Sequence, residues 1–399
     1  MRDLPELANF LKEYDVKVTD EEHDTIDTIG TFLEYNRDDT AFYIVHFGKI
    51  IEQYTRWRSL LPRVKPFYAV KCNPNPAIIQ LLKNFNVGFD CASKDEIRMV
   101  TSQGVSSDNI IFANPCKASN EIKFARSEDV DIMTFDDIHE LLKIKLYHPE
   151  ARLVIRIVTD DSKSECKFSC KFGVQLSDVE RVLTTAKSML LNVVGVSFHV
   201  GSNCHDTLTY YNSIKDSREV FNIAERVGYS FNVLDIGGGF PGYEREGSIA
   251  FEDIAVEVNR GIEEFFPTDD INIIAEPGRY FVCSSHTLVA NIIGKKESVI
   301  DGKKKLKYYL NDGVYGSFNC IFFDHAEPKI NPYNERNGIL YESKVFGPTC
   351  DSIDTISQTC YLPDLAIGEW VFVENFGAYT IAAASTFNGF QQTKCVYCI

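Results

Sequence analysis

Short apolar runs of strand length recur between Phe67 and Ala275, and segments with the periodicity of amphipathic helices separate them. Two of these helical segments begin with a capping-box pattern, Ser93-x-x-Glu96 and Ser177-x-x-Glu180. Eight strands that alternate with helices predict a (β/α)8 barrel, and an open doubly wound sheet is the alternative on pattern alone. The eight runs are Phe67–Val70, Val87–Cys91, Ile110–Ala113, Asp131–Thr134, Leu153–Val158, Val193–Val200, Val233–Ile236 and Ile271–Ala275.

The pattern changes after Arg279, where short β-rich pieces separated by turn residues replace the alternation of strands and helices. We therefore predict an α/β barrel domain over residues 38–282 and a mostly β domain over residues 283–399, folded as a Greek-key-like barrel or sandwich. Residues 1–37 are expected to be an N-terminal segment that joins the β domain, with a possible strand around Ile29–Phe32.

Composition and charge exclude several classes of partner. The chain has 399 residues, of which 44% are hydrophobic and 25% are charged, so it can bury a large core. Its formal net charge of -16 opposes binding to nucleic acid or to an anionic membrane. The first residues contain no apolar core of signal-peptide length, and no stretch is long enough to span a bilayer. We therefore expect a cytoplasmic protein.

The twelve cysteines are spread from Cys72 to Cys398 without a compact framework, which fits reduced thiols. Cys166 and Cys170 lack a second pair at zinc spacing. The Cys395-x-x-Cys398 pair stands at the last residues, where no helix follows. We expect neither a metal site nor a redox-active pair.

The first candidate for chemistry is Lys71, which follows the apolar run Phe67–Val70 in the stretch PFYAVKCN. A lysine at the carboxyl end of a buried strand has its stem in apolar surroundings, and desolvation of the amine lowers its pKa. That is the condition that a Schiff-base lysine needs. The alternative is a strand-end lysine that reaches into water.

Glycines and charged residues follow the last three predicted strands. Strand seven is followed by Gly237–Gly239, whose backbone N–H groups can approach a phosphate without obstruction by a Cβ atom. Strand eight is followed by Glu276–Arg279, and its arginine can hold a phosphate through charge-assisted hydrogen bonds. The end of strand six contains His199, which can stack on a planar ring, and the strand is followed by Ser202, which can donate to phosphate. Taken alone, a glycine triplet is more often a turn and a histidine here more often a core residue.

Together, a lysine for an imine, a phosphate cradle, a stacking histidine and a carboxylate describe a pyridoxal phosphate site. Glu276 would pair with the ring nitrogen of the cofactor and keep it protonated, which makes the ring an electron sink for a carbanion. This residue choice favours decarboxylation or a similarly demanding reaction.

With these residues assembled, the chain resembles the fold-type III pyridoxal phosphate decarboxylases and, within them, the eukaryotic ornithine decarboxylases. The resemblance covers about residues 35–390 and depends on ordered motifs that include PFYAVKCN, GFDCASKDEI, RIVTDDSKS, KFG, SFHVGS, DIGGGFPG, AEPGRYFV, GPTCDSID and ENFGAYT. It implies pyridoxal phosphate as cofactor and conversion of L-ornithine to putrescine and CO2, the first step of polyamine biosynthesis. The cofactor-binding residues that it implies are Lys71, Asp90, Arg156, His199, Ser202, Gly238, Gly239, Glu276, Gly278, Arg279 and Tyr379.

The same resemblance implies a set of substrate residues in the β domain. Cys350 would donate a proton to Cα after the loss of CO2, and Asp324 and Asp351 would hold the distal ammonium group. Phe323 stands beside them where the family commonly has a tyrosine, and Asn203 follows HVGS where the family usually has a glycine. The catalytic residues implied are Lys71, His199 and Cys350.

The resemblance also implies a homodimer in which each subunit completes the active site of the other, and it leaves a regulatory partner of the antizyme type open. Two alternatives remain on the same fold. One is an inactive regulator that resembles antizyme inhibitor, and the other is a lysine or arginine decarboxylase. A diaminopimelate substrate is disfavoured, because its second carboxylate would meet Asp324 and Asp351.

Overall fold

The structure is a computed structural model and describes residues 5–19, 24–35, 38–244, 248–334 and 338–399. The predicted limit of the N-terminal segment at residue 37 lies outside these residues. The helices in the described ranges are α1 Pro5–Glu13, α2 Thr25–Tyr35, α3 Phe47–Leu60, α4 Pro76–Asn84, α5 Lys94–Ser102, α6 Ser119–Ser127, α7 Ile138–Tyr147, α8 Val179–Ser188, α9 Leu208–Val227, α10 Phe251–Phe265, α11 Arg279–Val282 and α12 Cys320–Phe323.

The strands in the same ranges are β1 Phe42–His46, β2 Val64–Ala69, β3 Gly88–Cys91, β4 Ile110–Phe112, β5 Ile132–Phe135, β6 Arg152–Arg156, β7 Ser164–Cys166, β8 Asn192–Ser197, β9 Ser202–Cys204, β10 Val233–Asp235, β11 Asn272–Ala275, β12 His286–Ile300, β13 Lys303–Leu310, β14 Asn331–Pro332, β15 Tyr341–Phe346, β16 Thr355–Leu362, β17 Trp370–Val373 and β18 Lys394–Cys398.

Eight parallel strands close into a barrel in the order β10, β11, β2, β3, β4, β5, β6 and β8. The ring closes where β11 pairs with β2, with Ile273 opposite Val64. Each of these strands overlaps one of the eight apolar runs, so the predicted (β/α)8 barrel is confirmed and the open sheet is excluded. Seven of the strands each contribute one side chain to a buried apolar cluster, which only the barrel interior can bring together. Its members are Phe67, Ile111, Ile132, Val154, Val194, Val233 and Ile274.

The chain divides into two compact units. The barrel unit is Gln53–Phe281, and the β unit contains the described residues up to Glu52 together with Val282–Ile399. The β unit has an eight-stranded mixed sheet in which β12 pairs with β1, β13 and β17. Strand β1 also pairs in parallel with β18, with Phe42 opposite Lys394. We propose on this basis that the N-terminal segment belongs to the same domain as the C-terminal strands.

Three local predictions can be compared with the structure. The possible strand around Ile29–Phe32 is wrong, because these residues lie in α2 and pack on Phe42 and Ile44. The apolar pair at a spacing of three matches one face of a helix.

The capping box at Ser93 is confirmed, since its side chain accepts from the backbone of Glu96 at 3.3 Å. The capping box at Ser177 is wrong, because α8 begins one residue later than such a cap requires, with Asp178 at the N-cap.

All twelve cysteines lie in the described residues, and none of them forms a disulfide bond. Cys395 and Cys398 lie three residues apart on β18, and residues at odd spacing in a strand point to opposite faces. Within the residues that the structure describes, no helix has both the length and the apolar composition needed to cross a membrane.

Candidate active site

The predicted barrel residues lie at the carboxyl ends of the strands. Lys71 lies in a 3₁₀ turn, Val70–Cys72, directly after β2, and Asp90 lies on β3. Arg156 is the last residue of β6, and Glu276 follows β11. Because the strands are parallel and the barrel is closed, these ends share one rim, where the active sites of such barrels lie.

Lys71 and Asp90 form an ion pair across this rim, from the lysine Nζ to Oδ2 of the carboxylate. The Lys71 side chain is 38% exposed, whereas the Asp90 side chain is fully buried. Burial raises the pKa of Asp90, although the charges of Lys71 and Arg156 oppose that shift. The sequence predicted an amine among apolar groups, and the structure instead places a carboxylate beside it. This carboxylate fixes the amine at the rim.

Arg156 ends β6 and is influenced by carboxyl groups that other strands of the barrel bring to the rim. Burial lowers the pKa of its guanidinium, and the charges of Glu276, Asp136, Asp235 and Asp90 oppose that effect in decreasing order. The Phe172 ring covers the guanidinium at 5.2 Å from its centroid. A half-buried cation in this position partly balances the negative charge that the carboxyl groups would otherwise concentrate at the rim.

Glu276 has a buried neighbour, Asp235, which is not among the site residues predicted from the sequence. Oδ1 of Asp235 accepts a hydrogen bond from the Gly237 backbone at 2.9 Å, while Oδ2 is buried without a hydrogen-bond partner among the described residues. Burial raises the pKa of Asp235 to about 7 and raises the pKa of Glu276 well above its usual range, where the charge of Asp235 adds to the effect. The only signal in the sequence is an aspartate directly before the glycine triplet. The pair therefore retains a proton near neutral pH.

This carboxyl pair makes the free energy of unfolding of the apoprotein depend on pH. The folded chain keeps the proton of Asp235 up to about pH 7, whereas the unfolded chain releases it near the usual value of about 4. The folded state therefore binds more protons in this window, and the free energy of unfolding should fall as the pH rises through it. We expect Asp235→Asn, which keeps the acceptor for Gly237, to remove part of that slope. Urea unfolding of the apoprotein between pH 4 and pH 8 checks this, and an unchanged slope in the variant would contradict it.

His199 is held as a neutral imidazole. Its pKa is lowered well below the usual value by burial, with smaller effects from the charges of Arg156 and Lys71. The Gly201 backbone donates to Nδ1 at 3.1 Å, so in the neutral ring the proton is on Nε2. A Cβ at Gly238 would lie 2.8 Å from that Nε2 atom. An uncharged planar ring in a glycine-lined space is suited to stacking on an aromatic cofactor.

The glycines after β10 form a close-packed turn. Gly237 and Gly239 have φ values of 62° and 103°, which favour glycine. The Glu276 backbone donates to the Gly237 carbonyl at 2.6 Å and joins this turn to the residues after β11. Arg279 Nη2 donates to Ser202 Oγ at 3.1 Å. A guanidinium, a hydroxyl and glycine backbone at one rim are the groups that bind a phosphate.

Two further predicted positions contribute backbone geometry. A Cβ at Gly278 would lie 2.9 Å from Cys72 Cβ, so the residue must be glycine for the Glu276–Arg279 turn to pack beside Lys71. Asn203, at the position where the resemblance expects glycine, has a φ of 54°. Asparagine is among the few residues that tolerate this conformation, so the backbone shape is kept.

These residues fit pyridoxal phosphate. The lysine, the buried carboxyl pair and the Arg279–Ser202 pair lie at one barrel rim, and a Cβ at Gly238 would lie 2.8 Å from both the Glu276 carbonyl oxygen and His199 Nε2. Residues 47–283 match the family model described as "Pyridoxal-dependent decarboxylase, pyridoxal binding domain". The chain belongs to this decarboxylase family. It is a carbon–carbon lyase whose cofactor is pyridoxal phosphate.

Relatives of the decarboxylase match it over nearly the whole chain. Antizyme inhibitor 2 of Xenopus laevis is 46% identical, and the alignment covers 98% of this chain and 89% of that protein. The ornithine decarboxylase of Mus musculus is 45% identical, with 98% and 88% covered. Among solved structures, the arginine decarboxylase of Paramecium bursaria Chlorella virus has a TM-score of 0.88 at 36% identity, with 94% of this chain and 100% of that chain covered.

The remaining predicted residues of the decarboxylase belong to the β unit. Asp351 accepts from the Tyr315 hydroxyl at 2.5 Å, and this hydrogen bond is the main reason why its pKa lies below the usual value. Cys350 is exposed, and its backbone donates to Asn388 Oδ1 at 3.0 Å.

Asp324 is buried, whereas the neighbouring Phe323 is 70% exposed. Tyr379 has a φ of 56°, a conformation that is unusual for an aromatic residue. The roles that the resemblance implies for these residues of the β unit remain predictions.

Proposed function

We propose that this decarboxylase converts L-ornithine to putrescine and CO2 and so supplies the diamine from which polyamines are made. The observation that carries the proposal is the barrel rim, where Lys71 is paired with Asp90 and the buried carboxyl pair Asp235–Glu276 lies near Arg156. Ornithine decarboxylases are among the relatives that match nearly the full chain, which favours ornithine as the substrate.

Pyridoxal phosphate, when bound, withdraws the electron pair that remains on Cα after CO2 departs. The chain's own residues hold the cofactor and the substrate in place. Lys71 would hold the cofactor covalently, and Arg279 and Ser202 would bind its phosphate. The buried carboxyl of Glu276 would pair with the ring nitrogen, and the neutral ring of His199 would stack on the cofactor.

In this proposal, residues of the β unit select the substrate. Asp324 and Asp351 bind the distal ammonium of the amino acid. The position of these carboxylates therefore selects for the number of methylene groups between the two amino groups of the substrate. The α-carboxylate meets no cation from this set and is free to leave. Cys350, whose thiol is exposed, donates the proton to Cα.

The direct test offers L-ornithine, L-lysine and L-arginine together at equal concentration and identifies the amines that form. We expect putrescine to dominate over cadaverine, because one methylene in a pocket is worth about 1–3 kcal/mol, or roughly 10- to 200-fold. Agmatine should be at background. Cadaverine or agmatine as the main product would assign the chain to lysine or arginine instead.

A second candidate is a regulator that keeps the fold without the chemistry, because one of the most similar relatives is named an antizyme inhibitor. The presence of Lys71, Glu276, Arg279, Cys350 and Asp351 favours the enzyme. The same assay separates the two: a folded chain that holds no pyridoxal phosphate and releases no CO2 from any of the three amino acids would support the regulator. A partner of the antizyme type is compatible with either function.

We also propose a homodimer whose active sites are shared between subunits. Exposed apolar side chains lie next to the predicted substrate residues, among them Phe323 and Ile353 at 70% and 57% exposure, and such positions commonly mark interfaces. If Lys71 acts with Cys350 of the other subunit, an equal mixture of Lys71→Ala and Cys350→Ala chains should recover about one quarter of wild-type activity, because half of the dimers are hybrids with one intact site. Absence of recovery, with subunit exchange verified by mass spectrometry, would contradict shared sites.

None of the twelve cysteines in the described residues forms a disulfide bond, and Cys116, Cys170 and Cys350 are exposed, which supports a reducing compartment. We therefore propose a cytoplasmic location.

A further inference from the structure

The segment between β6 and α8, residues 159–173, has no role in the function proposed above, although it contains parts of the motifs RIVTDDSKS and KFG. We call it the strap. Backbone hydrogen bonds tie its base, from Val158 to the Val174 carbonyl at 3.0 Å and from Val174 to the Arg156 carbonyl at 2.9 Å. The Gly173 backbone donates to Asp136 Oδ2 at 2.8 Å. The strap therefore begins and ends at the rim that carries the active site.

The middle of the strap is attached to the phosphate side of the rim. Strand β7 lies in the strap and pairs with β9 in antiparallel fashion, with Cys166 opposite Ser202. Ser164 Oγ donates to the Val200 carbonyl at 2.5 Å. A Cβ at Gly201 would lie 2.5 Å from Ser164 Cβ, so the strap packs directly on the turn that positions Ser202.

One carboxylate shapes the second half of the strap. Asp161 is 4% exposed, and its Oδ2 accepts from the backbones of Phe168 and Ser169 at 2.5 and 2.8 Å. Its Oδ1 accepts from Ser169 Oγ at 2.5 Å. Burial alone would raise the pKa of Asp161, but these hydrogen bonds outweigh it and hold the pKa below the usual value. Three donors from two adjacent residues therefore converge on one buried carboxylate.

The turn that Asp161 closes presents Phe168 to the active site. The Phe168 ring meets the His199 ring edge to face, with centroids 5.0 Å apart and planes at 77°. The imidazole is thus restrained by the Gly201 backbone at Nδ1 and by the Phe168 ring. Both restraints act on ring orientation and leave the imidazole uncharged.

We propose that Asp161 is a positioning residue for His199, acting through Phe168: its carboxylate folds the strap so that the phenyl ring fixes the orientation of the imidazole. This inference rests on the proposed function, in which His199 stacks on the cofactor. Asp161 touches no reacting group in this assignment, and its effect is transmitted through one aromatic contact.

The experiment uses the full chain, first as apoprotein with ¹⁵N-labelled histidine, with the His199 signals assigned from a His199→Gln variant. The wild type should show one tautomer with the proton on Nε2. We expect Asp161→Ala and Phe168→Ala to give averaged nitrogen shifts for His199, and about threefold to tenfold weaker binding of pyridoxal phosphate, in line with the loss of one aromatic contact. Asp161→Asn, which keeps an acceptor oxygen, should stay within about threefold of the wild type.

The matched control is Asp160→Ala. Asp160 is the exposed neighbour of Asp161, and its side chain accepts from the Ser162 backbone at 3.0 Å. This variant should leave the His199 signals and cofactor binding unchanged. Limited trypsin digestion after Lys167 and Lys171, both exposed, reports on the strap itself: cleavage should accelerate in Asp161→Ala and stay at the wild-type rate in Phe168→Ala.

Wild-type His199 signals in an Asp161→Ala chain whose strap is cut faster would overturn the inference, and so would unchanged signals in Phe168→Ala. If Asp161→Ala does not fold, Asp161→Asn and Phe168→Leu carry the test, with a smaller expected change in the same direction. Because the nitrogen shifts are measured without substrate, they test the role of Asp161 separately from the proposed function. A wild type that fails to decarboxylate ornithine refutes the proposed function, whereas an active wild type with an unresponsive His199 refutes only the role of Asp161.

Discussion

Replacement of Lys71 by alanine should lower decarboxylation by at least about 10³-fold, because the residue that holds the cofactor covalently would be lost while the phosphate cradle remains. Lys71→Arg should be nearly as inactive. Arginine keeps a positive charge beside Asp90, but its guanidinium stays protonated and cannot form the covalent link. The measurement is the rate of CO2 release from ornithine by protein saturated with pyridoxal phosphate.

Lys65 provides the matched control for Lys71. It is a half-buried lysine on β2, the strand that directly precedes the turn of Lys71, and its Nζ donates to Asn109 Oδ1 at 2.7 Å. Lys65→Ala should leave turnover within about threefold of the wild type. Borohydride treatment of the holoprotein should label Lys71 and leave Lys65 unmodified in a peptide map. A label on another lysine, or appreciable turnover by Lys71→Ala, would contradict the assignment.

The second large effect is expected at Glu276. We expect Glu276→Ala to reduce turnover by about 10²- to 10³-fold, the range found when one preorganised electrostatic group is removed from an active site. Glu276→Gln should be similarly impaired, since an amide keeps the shape but cannot supply the charge that a protonated ring nitrogen needs. Ornithine turnover and the affinity for pyridoxal phosphate should be measured together.

A loss confined to cofactor affinity, with normal turnover at saturation, would mean that Glu276 only binds the cofactor and does not support the electron sink. Asp270→Asn serves as the control. Asp270 is exposed shortly before β11, where its side chain accepts from the Thr268 hydroxyl. This variant should match the wild type in both measurements.

The barrel was predictable because each of its strands is a continuous apolar run bounded by polar or glycine-rich residues. Parallel strands that are buried on both faces consist of nearly continuous apolar residues, and such runs can be recognised in a single sequence. The failures were local. Ile29 and Phe32 have strand-like composition but pack in α2, because one buried face of a short helix needs only a few apolar residues. Ser177 has the spacing of a capping box, yet a 3₁₀ turn over Leu176–Asp178 precedes α8 and moves its first residue.

The candidate site was predictable where chemistry and strand ends coincide in the sequence. Lys71, the glycine triplet and Glu276 each follow an apolar run directly, so the barrel prediction alone assigns them to one rim. The sequence could not assign the β-unit residues in that way. Cys350 and Asp324 stand in loops without a distinctive pattern, and only resemblance to a known family singled them out.

By itself, the sequence determined the eight strands, the positions of the lysine, the glycines and the acids at their ends, and the family of the chain, because periodicity and motif order are local properties. Only the tertiary structure decided which of these groups are neighbours. Asp90 pairs with Lys71 from the adjacent strand, Asp235 raises the pKa of Glu276, and Phe168 packs on His199. The members of each pair are distant along the chain, and their contact and burial arise only when the barrel closes. Charge and protonation at the rim follow from that burial, which no single stretch of residues encodes.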